Sequence, residues 1–295
     1  MTSLQVGKKS GNSRKIGLIL LEILAVVLFL LFMVPFFIVL INSAKTDKEI
    51  INNVIALPSD WTQLGRNISA IFNESSVRYV KAFVDSTVVT FGSLAVILFF
   101  SSMCAWVLVR NKKKWSTALF MVFVSAMVIP FQVVMFPLVQ WFKILGNAIR
   151  IPLLGTYQGI FLAYLGFGCS MSIFILHGFI KNVPLELEEA ATIDGCSQGM
   201  LFFRIVLPLL QPVCITVLIL NGIWIWNDYL LPLLLLGTNG NVRTLPLAVT
   251  AFAGAYVKQW HLILTSTLLA MLPVIVFFLF GQKYIIQGMV DGAIK

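Results

Sequence analysis

One stretch within an apolar run carries the groups that could do chemistry on a polar solute. It reads Asn221-Gly222-Ile223-Trp224-Ile225-Trp226-Asn227-Asp228-Tyr229. On a helix Trp224 shares a face with Asp228, and Asn221 with Trp224. Aromatic rings stack on the C–H faces of sugars, while amides and carboxylates take their hydroxyls, and this stretch offers both. A belt of Trp and Tyr at headgroup depth accounts for the same residues equally well. The carboxylate of Asp228 favours a water-filled cavity, because an unpaired charge in lipid is expensive. Gln132, between Pro130 and Pro137 in another apolar run, is also costly in lipid and reads equally as an interhelical hydrogen bond or a solute contact. The solute-path candidates are therefore Gln132, Asn221, Trp224, Asn227 and Asp228.

Covalent chemistry finds no apparatus. A phosphate-cradling loop needs Gly, four residues, then Gly-Lys-Ser/Thr, and Gly7-Lys8-Lys9-Ser10 fails that spacing. No HExxH, G-x-S-x-G or paired carboxylate set is present. Cys104, Cys169, Cys196 and Cys214 form no CxxC pair, so neither a disulfide frame nor a metal site is expected. His177 and His261 read as interfacial polar residues. The chain is thus expected to be no enzyme and to hold no cofactor or metal of its own.

The elements that would position these groups are membrane spans. The chain is 59% hydrophobic and 11% charged, where a soluble domain carries about 25% charged residues. A span needs about 20 mostly apolar residues, and roughly 16–41, 83–109, 117–139, 157–180, 207–236 and 262–282 qualify. The first exceeds a signal-peptide core and has no cleavage site, so it reads as a retained span. The fifth is long enough to be broken, with Asn221-Gly222 as the weak point. The prolines of the third should bend it at midlevel. The net charge of +9 is scattered between apolar runs, which argues for topology signals and against a nucleic-acid surface. Lys8, Lys9, Arg14 and Lys15, and then Arg110 and Lys112 to Lys114, are unopposed by acids. They place residues 1–15, the second connection and the tail 283–295 on the cytoplasmic side. The segment 42–82 lies outside and is long enough for short surface helices. Asp85, near the outer boundary, either snorkels or lines an entry. Gly166, Gly168, Ser170 and Ser172 make a close-packing face.

Between spans four and five, residues 185–212 form the one long polar break in the second half. Pro184 suits a helix start, Glu186, Glu188 and Glu189 suit its first turn, and Asp194-Gly195 suits a bend. A second helical stretch runs through Met200, Leu201, Phe203 and Ile205 to Pro208. Helix, turn and helix here would lie at the membrane surface and present a knob to a partner.

Glu189-Ala190-Ala191, three residues, Gly195, nine residues and Ile205-Val206-Leu207-Pro208 resemble the EAA motif of ABC-transporter permease subunits. Pro184, Asp194, Pro212 and Trp226-Asn227 are similar to the carbohydrate-importer branch of the maltose and multiple-sugar type. One departure is Asp85-Ser86-Thr87, where that branch often has Asn-Ser-Leu. The resemblance implies an all-α polytopic membrane protein of about six spans, with both termini cytoplasmic in a bacterial cytoplasmic membrane. It implies a transmembrane domain over 16–282, with the segment 184–206 as a cytoplasmic coupling helix. There Glu189, Ala190, Ala191, Asp194, Gly195, Ile205, Leu207 and Pro208 would couple to an ATPase. The implied partners are a second homologous permease, a cytoplasmic ABC ATPase dimer that uses ATP and Mg, and an extracellular or periplasmic sugar-binding protein. The small-residue face of span four is then a place for the second permease to pack. By position, the loop after span five reaches toward the binding protein, and the tail after 282 toward the ATPases. An ABC importer for glycerol phosphate or polyamine is the alternative. An ion-coupled secondary transporter is disfavoured, since it would want more intramembrane charge and an internal inverted repeat.

Overall fold

The computed structural model describes residues 11–238, 240–254 and 258–293, with only the backbone at 11–14, 280 and 283–293. Lys8 and Lys9 of the basic N-terminal tail, Asn239 and Lys295 lie outside the described residues. Helices α1 (Gly11–Ser43), α2 (Asp47–Asn52), α3 (Gln63–Asn73), α4 (Tyr79–Arg110), α5 (Lys114–Ala126), α6 (Phe131–Ile149) and α7 (Tyr157–Ile180) come first. They are followed by α8 (Glu186–Ile193), α9 (Gln198–Leu201), a π-helical turn (Phe202–Val206), α10 (Leu207–Leu209), α11 (Gln211–Asn227), α12 (Leu230–Leu236), α13 (Leu245–Ala251) and α14 (Trp260–Ala293). No strand occurs among the described residues. Four helices are long and apolar enough to cross a membrane, or six if each of two bent pairs is one span.

Both bends have a chemical cause. The run expected as one span over 117–139 is two helices, α5 and α6, meeting at 106°. Pro130 disfavours helical backbone at the residue before it and adopts ψ 136 itself. The preceding turn closes by tight bonds, Met127 N–H to Val124 and Ile129 N–H to Ala126. The run expected over 207–236 does not break at Asn221-Gly222, which lies inside an unbroken α11. Its breaks are at Leu210, where the axes turn by 76° just before Pro212, and at Asp228, which leaves the helix with ψ 127. Asn221 holds its helix together: its amide donates to Val217 O at 2.9 Å. The tail expected from 283 continues as helical backbone of α14 to Ala293.

The chain divides into two compact units. The first comprises Met1–Ala70 with Gln259–Leu268. Its α1 exposes apolar side chains on all sides, with none of its most hydrophobic window buried. Carbonyls left over where α1 ends are met by side chains: Asn67 donates to Ser43 O and Lys45 O, and Thr265 to Ser43 O. Lys45 is buried, and its ammonium donates to Asn42 Oδ1, Asn53 O and Val54 O. Burial lowers its pKa, opposed by the nearby Glu49.

The second unit, Ile71–Lys258 with Leu269–Lys295, is built on α4 packed along α7. Close approach is set by small residues: a Cβ at Gly168 would lie 2.7 Å from Ile97 and 2.8 Å from the Asn221 amide oxygen. Ser172 donates to Gly168 O and accepts from Asn221. The small-residue face expected to receive a second permease is therefore buried within this chain at Gly168, Ser170 and Ser172, and only Gly166 stays open. Two apolar cores lie along the α4–α7 pair, one around Ile97, Ile160 and Tyr164, the other around Trp106, Leu176 and Phe202.

Candidate functional site

The helix–turn–helix is anchored by a residue that the sequence offered only as a first-turn acid. Glu188, in the first turn of α8, is 5% exposed. Its Oε1 accepts from Arg110 Nε at 2.9 Å and NH2 at 2.7 Å, and its Oε2 from Trp106 Nε1 at 3.0 Å. The same guanidinium donates to Val183 O at 3.0 Å. Arg110, read from sequence as a topology charge, is thus the last residue of α4 clamped to the start of α8. The pair brings residues 110–114 and 184–210 to one end of the unit without appeal to charge counting.

The bend is a C-cap. Gly195 has φ +84, its N–H bonds Thr192 O, and Cys196 N–H reaches back to Ala191 O at 3.0 Å. These bonds satisfy carbonyls that the end of α8 would otherwise leave bare. Ser197 then caps α9, its hydroxyl accepting from Met200 N–H. Ala191, Phe202, Val206 and Leu210 turn into the core, and Trp106 packs on Phe202 with ring centroids 5.5 Å apart. Among the motif residues, Ala191 is buried and Ile205 and Leu207 pack partly against that core. Glu189, Ala190, Asp194, Gly195 and Pro208 face outward. Beside them Leu187, Met200 and Phe203 are exposed, and Ile193 is 86% exposed at the tip of α8. An apolar tip on a pinned helix has the chemistry that a docking surface uses. Its signal in the sequence, an isoleucine before Asp-Gly, is too slight to have been found.

The polar stretch separates into roles. Asn221 is buried between α7 and α11, its amide shared by Ser172 Oγ and Val217 O. Trp224, 40% exposed, meets buried Tyr164 edge-on with centroids 5.4 Å apart. Asp228 takes the Tyr164 hydroxyl at 3.1 Å and the Leu230 N–H at 3.0 Å. The structure thus gathers Trp224 and Asp228 around one tyrosine. The carboxylate is not unpaired; it caps α12 across the break. Asn227 is exposed and bonds Ile223 O. Gln132 is exposed near the start of α6 and is not joined to this group by any hydrogen bond among the described residues. Trp226 points elsewhere, donating to Ala270 O of α14 at 3.1 Å.

Asp85 is neither a snorkelling group nor a pathway lining. It is 2% exposed and accepts from Lys81 Nζ at 2.6 Å, Tyr157 OH at 2.7 Å and Arg243 N–H at 2.8 Å. Next to it Ser86 Oγ takes the Leu245 N–H at 2.7 Å. Together they fasten the loop after α12 to the first turns of α4.

Residues 97–291 match the family described as the binding-protein-dependent transport system inner membrane component. The "Probable starch degradation products transport system permease protein" of Thermoanaerobacterium thermosulfurigenes is 40% identical, over 94% of this chain and 96% of that protein. The multiple sugar-binding transport system permease protein of Streptococcus mutans is 31% identical, over 90% of this chain and 93% of its own length. Among solved structures, a chain of a bacterial ABC transporter involved in the import of the acidic polysaccharide alginate superposes with TM-score 0.75 at 19% identity. The superposition covers 95% of this chain and 99% of that one, a likeness of fold.

Proposed function

The chain belongs to the binding-protein-dependent transport system inner membrane components, multi-pass permease subunits of ABC importers, and we propose that it forms half of the pathway for a neutral oligosaccharide. The sugar systems named for its relatives support that choice of solute over glycerol phosphate or a polyamine. In this reading a second homologous permease completes the pore. A pair of cytoplasmic ABC ATPases uses ATP and Mg, and an external sugar-binding protein delivers the solute. Both termini and the segment 184–206 face the cytoplasm, as the unopposed Lys112, Lys113 and Lys114 beside Arg110 support.

The observation that carries the reading is the Glu188 clamp. Closure of the ATPases moves the α8–α9 pair, in this proposal through Glu189, Ala190, Ile193 and the Gly195 bend. Glu188 is tied to Arg110 and Trp106, so the displacement passes without slack into α4, a helix of 32 residues packed along α7. Rigid elements of this kind convert a local push into a shift between two packed arrangements. The solute biases that shift only by binding the two arrangements differently. Trp224 and Asn227 face it with a ring and an amide. Tyr164 and Asp228 set the angle of that ring and the break behind it. Gln132 lines the same path from α6.

The assembled complex tests this in proteoliposomes. A cysteine at Ile193 cross-links to an ATPase subunit and not to the external binding protein. Trp224→Ala and Asn227→Ala lower uptake of neutral oligosaccharides by about tenfold, a loss of about 1.4 kcal/mol, while the complex still assembles. Absence of the cross-link removes the coupling role, and normal uptake in both variants returns the stretch to a headgroup belt.

A further inference from the structure

At the other end of α4 the same loop that Asp85 fastens encloses a polar cavity of about 170 Å³ beside Arg78, Lys81 and Arg243. Three cations face it, and one buried carboxylate, Asp85, already serves Lys81, Tyr157 and the Arg243 amide. The other acid nearby in sequence, Glu74, turns back on the Ser76 hydroxyl at 2.7 Å. Positive charge is left in excess.

The cations are held in place. The Arg243 guanidinium donates to Ser76 O at 3.0 Å and to Thr238 O, and Lys81 reaches Asn241 O as well as Asp85. Arg78 differs. Its side chain has no partner among the described residues, and its backbone sits at φ 52. A left-handed conformation at a non-glycine residue is strained. Glycine or asparagine would serve that backbone better, so the arginine contributes through its charge.

We propose that this cavity is a carboxylate socket: a surface Asp or Glu of the external binding protein seats between Arg78 and Lys81 when that protein docks. The inference rests on the importer reading above, which puts this end of α4 outside. A neutral sugar gains nothing from excess positive charge, whereas a carboxylate pairs with the Arg78 guanidinium, which no group among the described residues occupies, beside a Lys81 already held in place. Placed at the rim, such a pair acts chiefly on encounter and register.

The test uses the complete transporter in nanodiscs of zwitterionic lipid, titrated with the purified binding protein of the same system. Arg78→Gly removes the charge and suits φ 52, so the variant is at least as heat-stable as wild type. It raises the binding-protein concentration for half-maximal ATPase stimulation by about tenfold at low salt, an effect that shrinks as salt screens the pair. Basal hydrolysis is unchanged, and Arg78→Lys retains most of the wild-type response. A half-maximal concentration within about twofold of wild type for Arg78→Gly overturns the socket. An Arg78 effect seen only with anionic lipid, or a wild-type heat shift by inorganic phosphate with docking unaffected, likewise overturns it in favour of a headgroup or a free oxyanion. Wild-type complex that no binding protein stimulates would instead bring down the importer reading itself.

Discussion

The two ends of α4 solve one problem in two ways. Each has a buried carboxylate that must be paired, since an ion left alone in a low-dielectric interior is costly. At the Arg110 end the carboxylate comes from elsewhere: Glu188 arrives on α8 and is met by a guanidinium and an indole. At the Asp85 end the carboxylate belongs to α4 itself, and a lysine, a phenol and a loop amide come to it. The Glu188 arrangement pins a helix that presents Leu187 and Ile193 outward beside Glu189 and Asp194. The Asp85 arrangement pins a loop and leaves cations over. The contrast suits the proposed division of labour, in which one end is pushed and the other receives.

Removing one partner at the Arg110 end should have the largest effect. Arg110→Ala leaves the buried Glu188 carboxyl without its cation, and breaking such a pair costs about 3–5 kcal/mol, toward the low end here because Arg110 is partly exposed. The expected result is faster hydrogen exchange across Glu186–Ile193 and loss of stimulated ATP hydrolysis in the complex. The double variant Arg110→Met, Glu188→Met should regain order in α8. Unchanged exchange in the single variant would mean that α8 is held by Ala191 and Phe202 packing alone, and the contrast between the ends would vanish.

Asp85→Ala should cost less, about 2 kcal/mol, because Lys81 can turn to water while Tyr157 and the Arg243 amide lose their acceptor. Its signature is local: faster exchange and proteolysis around Gly240–Leu245, with ATPase retention intact. If Asp85→Ala instead released the ATPases, the two ends would not be separable.

The expectations that failed and those that held divide along physical lines. Apolar runs of span length are legible because lipid demands them over about 20 contiguous residues, so α1, α4, α7 and α14 fall where the composition says. The Gly195 bend is legible because one residue type supplies φ > 0 cheaply. The Glu188–Arg110 pair is not, since its members lie 78 positions apart and each had a satisfactory local explanation. Asn221-Gly222 invited a break, yet the asparagine's amide returns to its own helix. Asp228 makes the break, its carboxylate taking the first amide of α12, where the sequence offered it as a solute-path candidate that favours a water-filled cavity. Tyr164, which holds Trp224 and Asp228 together, lies in a different apolar run and carries no local signal.

Gly195 sharpens the docking side of the contrast at smaller cost. No atom lies within 4 Å of a Cβ built there, so Gly195→Ala meets a backbone penalty of about 1 kcal/mol, and β-branched Gly195→Val a larger one, without a clash inside this chain. A loss of hydrolysis beyond what the difference in melting accounts for arises at the partner. The expected order is stimulated hydrolysis reduced in Gly195→Ala and abolished in Gly195→Val, with equal membrane insertion and a melting temperature only slightly lower for the valine variant. Glu189→Lys, exposed beside it, should lose ATPase retention with no change in melting. Equal activities for the alanine and valine variants would show that only the turn matters.

The smallest effect belongs to a carboxylate that is paired without being buried. Glu49 is partly exposed and is held down to about 2, first by the Ser59 hydroxyl and then by the Thr46 amide it caps. The unfolded chain holds this group near 4.5. A carboxyl depressed on folding adds stability that is present above the unfolded value and lost as pH falls through the folded one. Its window is therefore pH 4.5 down to about 2. Between pH 7 and 5 Glu49→Gln should change melting by the same amount at every pH, and its difference from wild type should alter only below that range. Titration of selectively labelled Glu49 should show a midpoint near 2, and Ser59→Ala should move it back toward the ordinary glutamate value. A midpoint that ignores Ser59 would mean that water, and not the capping hydroxyl, sets this group. Burial would then be the sole reason that Glu188 and Asp85 require the partners they have.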